Sequence, residues 1–183
     1  HNLKQFAAWG DRPPKVISIC PHCVRTMAVD WQEFGATPTV EHHTQFLARF
    51  RARLPRAEGP GIVYHDPCYL GRYQNVYDEP RELVARSGEL LEAPRHHERS
   101  FCCGAGGGLA FLGEESGTRV NETRAKELAA TGAEVIATGC PFCQTMFQAA
   151  LTQIQLPGPP PQLKDVAELI AQNLPKPTPA VLN

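Results

Sequence analysis

Residues 134–146, EVIATGCPFCQTM, determine how this chain folds. A short run of β-forming residues ends at Cys140, and a proline follows immediately. This pattern is typical of a strand that turns directly into a helix with proline in its first turn. Residues 15–27, KVISICPHCVRTM, repeat the plan with Cys20 in the place of Cys140. The repeat predicts two strand–turn–helix units that arose by duplication.

Strands and helices are predicted to alternate between the two copies. Residues 61–70, GIVYHDPCYL, indicate a buried strand followed by a turn that carries Cys68. Residues 118–133 fit an amphipathic helix, with Asn121 and Arg124 expected to be solvated or to act as caps. This alternation predicts an α/β fold with a mainly parallel sheet flanked by helices.

Further helices are predicted after the first copy and near the end of the sequence. Residues 41–54 favour a helix that opens near Thr44, and residues 162–174 favour a last helix. The proline-rich segment 157–161 separates this last helix from the rest, and the tail from Pro175 is expected to be unstructured.

Composition excludes several classes of protein. The 183 residues are 42% hydrophobic and 20% charged, and the formal net charge is −1. Without a cluster of Lys and Arg, no nucleic-acid partner is expected. No apolar run reaches the roughly 18 residues of a membrane span. No secretory signal opens the sequence, which begins at His1. We expect a cytoplasmic piece of a longer protein.

The seven cysteines carry the chemistry of this sequence: Cys20, Cys23, Cys68, Cys102, Cys103, Cys140 and Cys143. An odd number without a secretory signal argues against a disulfide framework and favours metal binding or redox chemistry. Buried structural cysteines would explain two Cys-x-x-Cys pairs and a Cys-Cys pair poorly. Each cysteine follows a predicted strand or opens a helix. The last five are therefore expected to converge at the sheet edge where parallel strands end.

Three kinds of site use such cysteines. Zinc takes four ligands, fewer than the five thiols of the second set, and a thioredoxin-like dithiol would leave the adjacent pair unused. An iron–sulfur cluster uses several thiolates and accepts hydrogen bonds from nearby backbone N–H groups. Gly104, Gly106 and Gly107 follow the adjacent pair and are expected to bring backbone close to such a cofactor. An iron–sulfur site is favoured, and zinc remains the alternative.

The spacing of the last five cysteines resembles that of the cysteine-rich CCG domain. The motifs that carry this resemblance are HDPCYLGRYQNVYDEPRELV, RSFCCGAGGG and CPFCQTMF, within about residues 16–151. The CCG domain occurs, commonly twice, in the catalytic subunit of heterodisulfide reductase and in the iron–sulfur subunits of glycolate and lactate oxidases. The motifs are similar to those of related iron–sulfur oxidoreductases, some of which accept electrons from flavoproteins.

The resemblance implies a four-iron four-sulfur (4Fe-4S) cluster on the last five cysteines. In heterodisulfide reductase this cluster is non-cubane, so adjacent cysteines could serve neighbouring irons. The resemblance further implies an electron-transfer subunit of an oxidoreductase, which relays electrons between a flavoprotein and a quinone or other acceptor. A heterodisulfide or thiol–disulfide reductase and a structural zinc module remain alternatives.

The resemblance also divides the chain. Residues 1–40 would be the C-terminal remnant of a first CCG domain, 41–156 a complete second one, and 157–183 a C-terminal helix and flexible tail. Cys20 and Cys23 would be metal ligands that close the first domain, whose cluster needs a preceding segment. Such segments, or partners, would provide any attachment to the cytoplasmic face of a membrane.

Five further polar residues are assigned structural roles. Near the lone cysteine, His65 and Asp66 are interpreted as part of a turn, and tuning of a cluster by them or by Arg72 is the less favoured interpretation. His42 and His43 are expected to cap the following helix or to lie at the surface.

Overall fold

A computed structural model describes residues 1–10, 12–112 and 117–175. Its strands are β1 (Val16–Ser18), β2 (Val40–His42), β3 (Gly61–His65), β4 (Glu89–Leu91), β5 (Val135–Thr138) and β6 (Gln162–Asp165). Its α-helices are α1 (Asn2–Ala7), α2 (Pro21–Ala28), α3 (His43–Ala48), α4 (Gly71–Gln74), α5 (Asp78–Val84), α6 (Leu109–Leu112), α7 (Val120–Ala129), α8 (Pro141–Gln153) and α9 (Val166–Asn173). The predicted α/β class, with parallel sheets flanked by helices, is confirmed.

The main sheet has four parallel strands in the order β4-β3-β5-β6, and β1 pairs with β2 in a second parallel sheet. The central strands β3 and β5 are buried along nearly their whole length, as expected for parallel strands covered on both faces. Their register sets Ile62 opposite Val135 and His65 opposite Thr138. Both strands therefore end at the same level.

Alternate residues of the central strands build two cores, because successive side chains of a strand point to opposite faces. Val63 and Ile136 lie in a cluster with residues of α7 and α8, and this cluster also contains Cys103, Cys140 and Cys143. The neighbouring residues of the same strands, Ile62 and Tyr64 of β3 and Val135 and Ala137 of β5, pack on the other face of the sheet with α5 and α9. Cys103, Cys140 and Cys143 therefore lie on one face of the main sheet.

Both copies of the strand–turn–helix plan form as predicted. Cys20 is the N-cap of α2 and Cys140 is the N-cap of α8, each with proline in the first turn. The correspondence continues into β2–α3 and β6–α9, where His42 and Asp165 each close a capping box. His43 Nε2 lies 2.9 Å from Asp165 Oδ1, which joins the two copies. Duplication of a whole domain stays a prediction.

The structure corrects two expectations. Asn121 and Arg124 of α7, expected to be solvated or to act as caps, are 1% and 0% exposed, and the N-cap of α7 is Arg119. They are buried because distant segments supply hydrogen-bond partners; Asn121, for example, donates to the Met146 carbonyl oxygen. Residues 162–165, expected to be helical, form β6 and pair with β5. This pairing satisfies backbone groups that the edge of β5 would otherwise leave open, and the helix begins only at Val166.

The expected domain boundaries do not coincide with the limits of the two sheets. The boundary between residues 40 and 41 falls inside β2, and β6 belongs to the segment 157–183. The domain division stays a prediction, and residues 176–183 of the expected flexible tail lie outside the described residues. Among the described helices, none has both the length and the apolar character needed to cross a bilayer.

A buried ion pair ties the end of β3 to α5. Arg81 NH1 donates to Asp66 Oδ1 at 2.6 Å and NH2 donates to Asp66 Oδ2 at 2.8 Å. Arg81 Nε also donates to Glu92 Oε1 at 2.6 Å. Burial alone would raise the pKa of Asp66, but the bonds from Arg81 outweigh it and lower that pKa. Asp66 therefore stays ionised beside the turn that carries Cys68.

Replacing Arg81 with alanine is expected to destabilise the chain, because Asp66 would remain buried without its cation. Removal of one partner of a buried pair costs about 3–5 kcal/mol. The free energy of unfolding, measured with urea on the metal-free, reduced chain, tests this. Arg51→Ala is the control: its ion pair with Glu82 is about half exposed, so the expected loss is about 0–1 kcal/mol. Equal losses in the two variants would contradict this account.

Candidate metal centre

Three loops carry the last five cysteines to the carboxyl edge of the main sheet. Cys68 follows β3, Cys102 and Cys103 lie in the connection between β4 and α7, and Cys140 and Cys143 stand at the start of α8 after β5. Since β4, β3 and β5 are neighbouring parallel strands, the segments that follow them emerge side by side. The predicted convergence of these thiols is therefore present in the fold.

The five thiols form a continuous chain of sulfur contacts. Cys68 and Cys103 each hydrogen-bond to Cys102, and Cys143 hydrogen-bonds to both Cys103 and Cys140. None of the chain's cysteines is in a disulfide. One group of atoms thus offers five sulfur ligands from three separate segments.

The thiols strongly influence one another's protonation. Hydrogen bonds from Cys103 and Cys68 hold the pKa of Cys102 far below its usual value, whereas donating to Cys102 raises the pKa of Cys103 to about 12. The bond from Cys143 lowers the pKa of Cys140 to about 5, and the bonds that Cys143 donates raise its own pKa well above normal. Two thiolates, Cys102 and Cys140, therefore lie among three thiols. Ionising all five together requires added positive charge.

In the glycine segment, Gly104 lies close to Cys102 and to the start of α7, and its expected approach to a cofactor stays a prediction. Its φ is +87°, and its N–H donates to Cys102 Sγ at 3.3 Å. A Cβ here would lie 3.2 Å from both the backbone N of Asn121 and Cβ of Val120. Gly106 and Gly107 are exposed, with no atom within 4 Å of an added Cβ, so their role toward a cofactor stays a prediction.

A histidine, His22, links the first cysteine pair, Cys20 and Cys23, to the five converging cysteines. The cysteine motifs alone do not single it out. His22 Nδ1 lies 3.9 Å from Cys20 Sγ, and the ring also hydrogen-bonds to Cys140. These bonds, with that of Cys140 the larger, raise the pKa of His22 to about 9. Comparison of the two copies could have identified His22, because it stands where the second copy has Phe142. Cys23 is exposed.

Other polar candidates take structural positions. His42 caps α3 as predicted and is buried, whereas Arg72 is exposed. Asp66 is held by Arg81 and also accepts the N–H of His97 at 2.9 Å. His65 behaves differently, since its ring nitrogen lies within 4.8 Å of the sulfurs of Cys103 and Cys143.

Replacing Gly104 with alanine is expected to disturb the cysteine loop, because the positive φ and the start of α7 both oppose a side chain. A left-handed conformation alone costs a non-glycine residue about 1–2 kcal/mol. Gly106→Ala is the matched control, since no atom obstructs its Cβ and its φ is not positive. Thermal unfolding of both variants measures the difference. A loss in Gly106→Ala equal to that in Gly104→Ala would contradict the assignment.

Comparison with known proteins places this segment in a family. Residues 62–148 match the family model described as CCG, a cysteine-rich domain. The chain is 39% identical over 168 residues to the probable iron-sulfur-binding oxidoreductase FadF of Bacillus subtilis, covering 87% of this chain and 23% of that protein. It is 37% identical over 158 residues to the EtfAB:quinone oxidoreductase of Syntrophomonas wolfei, covering 80% and 22%.

A third relative is a heterodisulfide reductase subunit. The chain is 30% identical over 183 residues to a subunit of the dihydromethanophenazine:CoB–CoM heterodisulfide reductase of Methanosarcina mazei, covering 95% of this chain and 44% of that protein. The chain thus spans less than half the length of these three relatives. The family match runs from β3 into α8 and includes all five converging cysteines. Residues 62–148 of this chain belong to the CCG cysteine-rich domain family.

Proposed function

We propose that the five converging cysteines hold one iron–sulfur cluster and that the chain is an electron-transferring part of an iron–sulfur oxidoreductase. The observation that carries this proposal is the contact of five sulfurs from three segments. The three relatives described above are named as oxidoreductases or reductase subunits, and the name of FadF states iron–sulfur binding. Together these findings favour an iron–sulfur site over a single-metal site.

The donor set fits such a cluster. Zinc is satisfied by four ligands, which would leave one of the five thiols in this chain of contacts without a metal. Several irons supply the positive charge that lets all five sulfurs ionise together. The Gly104 N–H already donates to the Cys102 sulfur, a contact of the kind that tunes cluster potential. Bound here, the cofactor would accept and release single electrons; we propose a 4Fe-4S cluster, with cubane or non-cubane geometry to be determined.

Cys20 and Cys23 belong to a second site in this proposal. The sequence contains seven cysteines, so after the five, only this pair remains. A second cluster would need ligands that the chain does not supply. His22, which contacts both Cys20 and Cys140, would lie between the two sites.

The partners proposed are a flavoprotein donor and a quinone or other acceptor, at the cytoplasmic face of a membrane. The name of the Syntrophomonas relative, an EtfAB:quinone oxidoreductase, supports the quinone acceptor. The heterodisulfide reductase relative supports a second interpretation, in which a disulfide is the acceptor. Exposed Tyr73 and Phe142, near the cysteine loops, offer apolar contact area for either partner.

Anaerobic reconstitution with iron and sulfide tests the cluster. Wild type is expected to bind about four irons per chain with an equal amount of sulfide, whereas Cys103→Ser should bind fewer or show an altered EPR signal. Cys23→Ser is the matched control, since it makes the same change outside the five, and should keep the iron content of wild type. One zinc per chain, no iron and indifference to Cys103→Ser would contradict the proposal.

Mixing the reconstituted chain with candidate redox partners separates the two interpretations. A chain that relays electrons is expected to be reduced by a reduced electron-transferring flavoprotein and to leave an added disulfide intact. Absorbance changes of the cluster and a thiol assay measure the two reactions. Cleavage of one disulfide for every two dithionite-reduced chains, which together supply the two electrons required, would instead favour the reductase.

A further inference from the structure

His65 ends β3 and lies beneath the cysteines. Its side chain is almost completely buried, with 1% of its surface exposed. Its ring packs edge-on against the ring of Phe147, with 4.7 Å between the ring centroids. The described residues offer no hydrogen-bond partner for Nε2, and one ring nitrogen lies within 4.8 Å of the sulfurs of Cys103 and Cys143. A buried polar atom without a partner calls for an explanation.

The other ring nitrogen fixes the tautomer. Arg124 Nε lies 3.3 Å from His65 Nδ1. A guanidinium carries only hydrogen-bond donors, so Nδ1 must accept and the single ring proton must reside on Nε2. A second proton on the ring would place Nδ1–H against the Nε–H of Arg124. Burial and the charge of Arg124 accordingly lower the pKa of His65 to about 3.

Further hydrogen bonds hold the Arg124 guanidinium in the orientation that donates to His65 Nδ1. Its NH1 donates to the Arg95 carbonyl oxygen and to Glu127 Oε2, both at 2.9 Å, and its NH2 lies 3.4 Å from Ser100 Oγ. Glu127 is bound in turn by Arg95 NH2 at 2.8 Å. The guanidinium therefore cannot easily turn its Nε–H away from His65, which accounts for a fully buried arginine on α7.

The same contact argues against His65 as a metal ligand. A neutral histidine that binds a metal through Nε2 carries its proton on Nδ1, where the Arg124 donor stands. Ligation through Nδ1 is blocked by Arg124 itself. What remains is a buried Nε2–H without a partner among the described residues, on a ring that has one nitrogen within 4.8 Å of the sulfurs of Cys103 and Cys143.

We propose that His65 donates a hydrogen bond through Nε2 to the sulfurs at Cys103 and Cys143, with Arg124 as the residue that fixes its tautomer, and thereby raises the reduction potential of the bound cluster. The inference rests on the proposed function. A donor near the sulfurs stabilises the more negatively charged, reduced state, and hydrogen bonds to sulfur are an established lever on cluster potential. His65 is a positioning and tuning residue rather than a ligand.

Redox titration of the reconstituted chain tests this. His65→Leu removes the donor and is expected to favour the oxidised state by about tenfold, a fall of about 59 mV for a one-electron couple. His65→Gln keeps an N–H donor and should recover most of that shift. Tyr64→Phe is the control, because the preceding residue of β3 packs in the core on the other face, and its potential should equal that of wild type.

Nuclear hyperfine spectroscopy on protein labelled with ¹⁵N-histidine provides a readout that does not require His65→Leu to fold. Wild type is expected to show a weak, non-ligand nitrogen coupling and an exchangeable proton, and the nitrogen coupling should vanish in His65→Gln. A nitrogen coupling of ligand strength, no coupling at all, or a His65→Leu potential equal to that of wild type would overturn the inference. Wild type without iron would instead overturn the proposed function and remove the basis of the inference.

Discussion

The parallel pairing of β3 with β5 is the constraint on which the rest of the structure depends. The register that sets His65 opposite Thr138 ends both strands at one level, and β4 flanks β3 on its other side. The three segments that follow these strands must therefore emerge together. A shift of one residue would turn every side chain to the opposite face and would move His65 away from Cys103 and Cys143.

Beneath the cysteines lies a polar layer that is unusual for the interior of a small α/β domain. Arg81 neutralises Asp66, and Arg124 is neutralised by Glu127, so each buried charge has a partner. Charged residues are almost never fully buried unless they are paired. Here the pairs position the turn before Cys68 and the ring of His65.

Much of the fold and of the cysteine site could be predicted from the sequence. The rest depends on contacts between residues that are distant in the sequence. The strand–Cys–Pro–helix plan is local, so its strands, helices and caps could be predicted from the pattern. The burial of Arg124 could not, because its partners Arg95, Ser100 and His65 come from other segments. Strand β6 has no alternating pattern and forms because β5 offers an edge. His22 escapes a local analysis because its importance lies in a contact with the other copy.

The central claim is that one iron–sulfur cluster lies among the five sulfurs. The most direct test is a crystal structure of the anaerobically reconstituted protein, with anomalous differences collected at the iron and zinc absorption edges. The account predicts several iron peaks within bonding distance of Cys68, Cys102, Cys103, Cys140 and Cys143. A single peak at the zinc edge, bound by four of these residues with the fifth turned away, would contradict it.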